Sequence, residues 1–299
     1  MTTSALSPTD TAPTASAPHW TAIDWRPYIR DATVAGRKLR YLDYGAGPAL
    51  ILIHGFTGCW QWWLEVLPAL GLRRRIIAVD LPGFGHSEPL PSPGAMSTHA
   101  EVIAQLGDSL KLSDAAVAGH SMGGLVTLEL GRTRPDLVRR LILVNAGGVP
   151  MPEAQLRVVV RFIGLSSALI ANPAVNRAIV RRPRARGILS KTGVGNFGAM
   201  SVDLAGQVVP LMDAPGAADA LVAAARAVRE TQPEAITQPT LLLWGANDPI
   251  VTVANAREMA ERLPDPKLVL IPGTGHSPFI GRPDEFIDAV LEFTGDPQR

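Results

Sequence analysis

The sequence predicts an α/β protein: a doubly wound, mostly parallel sheet with an inserted helical cap. Three observations predict it. Short, continuous apolar runs alternate with stretches of helical spacing, the pattern of strands covered by helices on both faces. That alternation stops over 148–238, where Ala, Leu, Val, Arg and Pro dominate, and then resumes. Finally, Gly119-His120-Ser121-Met122-Gly123 lies between the apolar run 115–118 and the helical pattern 125–130, where a strand must turn sharply into a helix.

Taken in order, the chain begins with a segment at 1–19 rich in Ser, Thr, Ala and Pro, which reads as a disordered tail. It lacks the basic and apolar regions of a secretory signal. Residues 32–44 alternate like paired strands, with Gly36 at the turn. Ala49-Leu50-Ile51-Leu52-Ile53 is a buried parallel strand, and a helix is expected over 62–70. Residues 75–80 form the next strand and close on Leu81-Pro82-Gly83-Phe84-Gly85-His86-Ser87. Val102, Ile103, Leu106 and Leu110 have helical spacing, with Ser97 as the expected N-cap. The strand before Ser121, the helix after it and a strand at 140–145 complete the first half. Within the insertion, 156–170 and 217–228 have helical spacing. The sheet resumes at 240–244 and ends with a strand at 267–271, and a helix over 283–293 follows. The expected division is a tail at 1–19, sheet domain at 20–147 and 239–299, and cap at 148–238.

Composition narrows the function classes. Lys and Arg number 28 against 27 Asp and Glu, a formal charge of +1, so no global field favours nucleic acid or acidic membranes. No apolar run approaches the roughly 18 residues of a membrane span. The single cysteine, Cys59, rules out an intrachain disulfide framework and a cysteine-rich metal site, and favours a cytoplasmic compartment. With no ligand cluster or dinucleotide fingerprint in context, neither a metal nor a nicotinamide cofactor is expected.

A serine hydroxyl is a weak nucleophile at neutral pH and needs a base, which in turn needs an orienting group. Gly245-Ala246-Asn247-Asp248-Pro249 follows one late strand and Gly273-Thr274-Gly275-His276-Ser277-Pro278 follows the next. Asp248 and His276 thus lie beyond strand ends in the chain order Ser, Asp, His. On these three segments, residues 30–295 resemble the α/β-hydrolase fold family, in its cap-bearing serine hydrolase and esterase branch. The resemblance implies Ser121 as nucleophile, Asp248 as acid and His276 as base. Some relatives carry the acid one strand earlier, a position that falls near Asn145, an amide without charge. The turn His54-Gly55-Phe56 resembles the family's oxyanion turn, which implies the backbone N–H groups of Phe56 and Met122 as the oxyanion hole.

Other residues carry competing readings. Phe56, Trp60, Phe162 and Ile250 are read as substrate-binding, while packing accounts for most of the Trp60, Trp62 and Trp63 group. Asp80, His54, His86 and His120 are expected to brace loops, and Cys59 to pack. In the cap, Val158, Val159, Val160, Phe162, Ile163, Leu169 and Met212 either roof an acyl cavity or form a helix-packing core. Arg177, Arg181, Arg182, Arg184 and Arg186 form a basic cluster, read as a solvated helix face or as an attractor of an anionic substrate or lipid surface. The resemblance implies a cofactor-independent hydrolase of small-molecule carboxylic esters with small to medium apolar parts. Carbon–carbon bond hydrolysis, perhydrolysis of the haloperoxidase kind, and a ligand receptor that retains the triad stay open as alternatives. Oligomeric state is not readable from this sequence.

Overall fold

The computed structural model describes residues 17–91, 94–149, 172–191 and 198–295, together with positions 153, 154, 157, 160, 161, 164 and 170. Of the expected tail, 1–16 lie outside the described residues; Phe162, Val158, Val159, Ile163 and Leu169 also do.

An eight-stranded sheet runs in the order β1-β2-β4-β3-β5-β6-β7-β8. Its strands are β1 (Ile29–Val34), β2 (Arg37–Tyr44), β3 (Ala49–Ile53), β4 (Arg75–Val79), β5 (Ala115–His120), β6 (Val138–Val144), β7 (Thr240–Gly245) and β8 (Pro266–Ile271). β1 and β2 form an antiparallel hairpin through Ala35 (φ 49°) and Gly36 (φ 73°), the positive φ pair that suits a two-residue turn to strand twist. β2 is also antiparallel to β4, and every later pairing is parallel.

Period-two alternation splits each central strand between two cores. Ile51 and Ile53 of β3, Val117 of β5 and Trp244 of β7 enter one core, packed under helices α2 (Met96–Ser109) and α3 (Met122–Thr133). Leu50 and Leu52, Ala116 and Ala118, and Leu241 and Leu243 enter the other. That second core includes Trp60, Trp62, Trp63, Phe279 and Phe286. Both faces are therefore covered, which is why these strands read as unbroken apolar runs.

Local departures from expectation have local causes. The expected helix at 62–70 is two pieces, a 3-10 turn at Trp60–Trp63 and the short α1 (Leu67–Gly71). Pro68 sits in the first turn of α1, where its missing N–H costs nothing. Ser97 is not a cap: α2 starts one residue earlier, after Ala95, which makes no side-chain cap bond.

Between β6 and β7 the described residues form α4 (Pro173–Arg181), α5 (Pro183–Lys191), α6 (Val202–Val208), a 3-10 turn at Val209–Leu211 and α7 (Ala217–Glu230). Positions 157, 160, 161, 164 and 170 are helical as well. α6 packs on the Trp60–Trp63 turn, and α7 packs on α2 and α3. This segment therefore reaches both cores, crossing from one to the other beside Gly83, whose carbonyl accepts the Gly216 N–H at 3.0 Å. A Cβ on Gly216 would lie 2.9 Å from the Gly83 Cα, so the two backbones meet at a distance only glycine allows. After β7 come α8 (Val253–Arg262), and after β8 the short α9 (Pro278–Gly281) and α10 (Pro283–Thr294). Among the described residues, no helix is long and apolar enough to cross a membrane.

Candidate active site

Ser121 stands between β5 and α3 with φ 52° and ψ −115°, a strained backbone for a residue with a Cβ. Its neighbours explain how the turn closes. A Cβ on Gly119 would fall 2.2 Å from Thr127 Oγ1 and 2.3 Å from the Gly123 carbonyl oxygen, and one on Gly123 would fall 2.5 Å from the carbonyl oxygens of Ile53 and His54. Ser121 is the N-cap residue of α3, yet its hydroxyl makes no capping bond. The side chain is half-buried.

Asp248 and His276 meet across the ends of β7 and β8. His276 Nδ1 lies 2.7 Å from Asp248 Oδ2, and the carboxylate can only accept, so Nδ1 carries the proton and Nε2 is left as the basic nitrogen. Asp248 is 5% exposed and His276 8%. Three further donors hold the carboxylate. Asp248 Oδ1 accepts from the N–H groups of Ile250 (2.8 Å) and Val251 (3.2 Å). Oδ2 accepts from Asn145 Nδ2 at 2.6 Å. Asn145, fully buried just past β6, also accepts the Gly245 N–H at 3.0 Å. The sequence marks Asn145 as an uncharged amide near the alternative acid position; its hold on Asp248 needs the fold.

Ser121 is coupled to His276 through its neighbour. His120 Nε2 donates to the His276 carbonyl oxygen at 2.8 Å, and its ring lies 4.8 Å from the His276 ring and 5.0 Å from Phe279. Burial first, and the nearby His276 second, hold the His120 pKa well below its ordinary value, so it is a neutral strut. Among the described residues no hydrogen bond joins Ser121 Oγ to His276. Such contacts commonly tighten only when substrate is bound.

The loop after β3 approaches the same point. A Cβ on Gly55 would sit 3.0 Å from Ser121 Cβ and 2.8 Å from His120 Nδ1, so the absence of a side chain lets this turn close on Ser121. Next to it, the Phe56 N–H and, across the gap, the Met122 N–H are not taken by other groups among the described residues. Two side chains lock the turn. His54 lies 2.7 Å from the Gly55 carbonyl oxygen through Nδ1 and accepts the Leu81 N–H through Nε2 at 2.9 Å. Its burial lowers its pKa to about 4. Asp80 accepts from the Trp60 N–H at 2.7 Å and the His86 N–H at 2.9 Å. Burial raises its pKa to about 6, against the pull of those two N–H bonds.

Of the residues read as substrate-binding, Phe56 and Ile250 are half-buried beside these groups. Trp60 is a core residue, 3% exposed, with its ring 6.3 Å from that of Trp25. Phe162 lies outside the described residues. Cys59 is buried, and burial raises its thiol pKa well above the ordinary value, so the thiol is inert.

Residues 50–289 match the Alpha/beta hydrolase family, and the chain belongs to it. An uncharacterized protein of Mycobacterium tuberculosis is 30% identical over 286 residues, covering 89% of this chain and 81% of that protein. The pimeloyl-[acyl-carrier protein] methyl ester esterase of Aeromonas hydrophila is 27% identical over 254 residues, 84% of this chain and 97% of the esterase. Among solved structures, a hydrolase from Pseudomonas aeruginosa superposes with a TM-score of 0.71 at 25% identity, covering 90% of this chain and 98% of the other. The chain is thus an enzyme of the hydrolase class.

Proposed function

We propose that the chain is a serine hydrolase that cleaves carboxylic esters through an acyl-enzyme on Ser121. The observation that carries this reading is the His276 Nδ1 to Asp248 Oδ2 bond of 2.7 Å, made beside a strained serine whose hydroxyl caps nothing. His276 Nε2 takes the hydroxyl proton as Ser121 Oγ attacks the ester carbonyl carbon. Asp248 stabilises the imidazolium, and the Phe56 and Met122 N–H groups receive the negative oxygen. The tetrahedral adduct collapses, its C–O bond to the alcohol breaks, and His276 returns the proton to the leaving oxygen. Water then adds to the acyl carbon, giving its proton to the same nitrogen, and the acid departs as Ser121 recovers its hydrogen.

Residues 148–238 act as a cap in this reading, supported by the packing of α6 on the Trp60–Trp63 turn and of α7 on α2 and α3. Phe56 and Ile250 flank the acyl or alcohol part, which favours small to medium apolar groups. A series of p-nitrophenyl esters of increasing acyl length tests the proposal. Multiple turnovers with an optimum at short or medium chains are expected, and an absence of turnover across the series contradicts it.

A further inference from the structure

The helical pair α4–α5 carries a charge unlike that of the whole chain. The chain balances 28 basic against 27 acidic residues, yet 172–191 holds Arg177, Arg181, Arg182, Arg184, Arg186 and Lys191 and not one Asp or Glu. Arg186 is spent inside the protein. It is 4% exposed, and its Nη1 donates to the carbonyl oxygens of Ile179 (3.1 Å) and Val180 (2.8 Å) in the last turn of α4. This cap ties α5 to α4.

The other four arginines face water. Arg177, Arg181, Arg182 and Arg184 are exposed, and among the described residues none has an ion pair. Arg177 and Arg181 lie one turn apart on the same side of α4, and Arg182 and Arg184 continue around the corner into α5. The helix cannot roll to hide them. Ile179 is buried, Val175 and Val180 pack against the tryptophan-rich core, and Asn176 Nδ2 donates to the Val209 carbonyl oxygen at 2.9 Å. The acids on the adjoining segment, Asp203 and Asp213, are exposed and also form no ion pair among the described residues. On α6, which α4 packs against, Val202 is 50% exposed.

From this we infer that the α4–α5 face docks the protein on an anionic phospholipid surface. Four guanidinium groups spread along a helix and around a corner match an extended array of phosphates, whereas one small anion needs donors that converge. Val202 adds an apolar contact at the edge, and attraction to anionic lipid supplies most of the affinity. α4 rests on α6, which packs on the Trp60–Trp63 turn, so the docked face lies on the side of the sheet that carries the tryptophan-rich core. The surface itself does not depend on the ester-hydrolase reading.

Flotation with vesicles of phosphatidylcholine alone, or containing about 30% phosphatidylglycerol, tests the inference at about 0.05 M and about 0.5 M salt. The wild type should float only with the anionic vesicles and only at low salt. Replacing the four residues together (Arg177→Gln, Arg181→Gln, Arg182→Gln, Arg184→Gln) should weaken binding several hundredfold, at about fivefold per arginine. Unchanged melting and unchanged turnover of a short soluble ester show that the variant is folded; a melting loss moves the test to the paired variants Arg177→Gln/Arg181→Gln and Arg182→Gln/Arg184→Gln. Binding to neither vesicle, equal binding to both, or wild-type binding by the variants overturns the inference. Binding to heparin without vesicle binding assigns the face to a soluble polyanion and equally overturns it.

Discussion

Asn145 donates its side-chain N–H to Asp248 Oδ2 at 2.6 Å, the same oxygen that receives His276 Nδ1 at 2.7 Å. One carboxylate oxygen thus joins the ends of β6, β7 and β8, and the amide fixes the direction from which the acid addresses the histidine. Hydrogen bonds to a charged group contribute about 1.5–3 kcal/mol. Asn145→Ala should therefore lower kcat about ten- to a hundredfold with little change in KM. Wild-type kcat in a folded Asn145→Ala protein would show that Asp248 needs no such support.

His120 should matter for rate although it transfers no proton. Its Nε2 bond to the His276 carbonyl oxygen ties the Ser121 turn to the loop that carries His276. His120→Phe keeps a ring of similar shape and removes the donor. About a tenfold loss of kcat is expected, consistent with one neutral hydrogen bond of about 1 kcal/mol plus the cost of an unpaired carbonyl. A rate equal to wild type would reduce His120 to packing.

Two glycines should respond in opposite directions to alanine. At Gly123 a Cβ meets two backbone carbonyl oxygens at 2.5 Å, which neither a rotamer change nor a flexible side chain relieves. Gly123→Ala should cost more than about 3 kcal/mol or abolish soluble expression. Gly206, inside α6, has open space around the same position, and Gly206→Ala should stabilise by about 0.5–1 kcal/mol. Chemical denaturation of both variants checks the pair; a destabilised Gly206→Ala would mean that α6 tolerates no added volume.

Stability should fall as the solution is acidified below neutrality. His54 and His99 are buried and their pKa values are depressed from 6.5 to about 4, so the stability they contribute is present above 6.5 and is lost as pH drops through 4. Asp80 acts with the opposite sign. Its pKa is raised from 3.8 to about 6, so its contribution is complete below 3.8 and is lost as pH rises through 6. Two histidines outweigh one carboxylate, and His120 shifts in the same direction as they do. Thermal melting from pH 7.5 to about pH 4 should show a falling Tm, and His99→Leu should flatten the slope. A Tm that holds or rises over that range contradicts the assignment of these buried histidines as neutral.

What was legible in the sequence was whatever depends on local order. The apolar runs of β3, β5 and β7 announced strands covered on both sides, and the glycines around Ser121 announced the sharp turn. Asp248 and His276 stood out because each follows a strand at the expected place in the chain. Contacts made across the fold left no such trace. Asn145 reaches Asp248 over 103 positions and His120 reaches His276 over 156, and nothing local encodes either partner. Trp60 is ambiguous in sequence for a different reason: a large aromatic serves a core or a cavity wall equally well, and its burial and its packing beside Trp25 appear only in the fold.

The central claim is that Ser121 is an activated nucleophile. The most direct measurement is intact-protein mass after treatment with a fluorophosphonate, wild type beside Ser121→Ala. One covalent adduct is expected on the wild type, located to Ser121 by peptide mapping, with none on the variant and turnover lost together with it, by up to about a millionfold. An adduct of equal yield on Ser121→Ala, or turnover that survives the substitution, would place the nucleophile elsewhere and contradict the account.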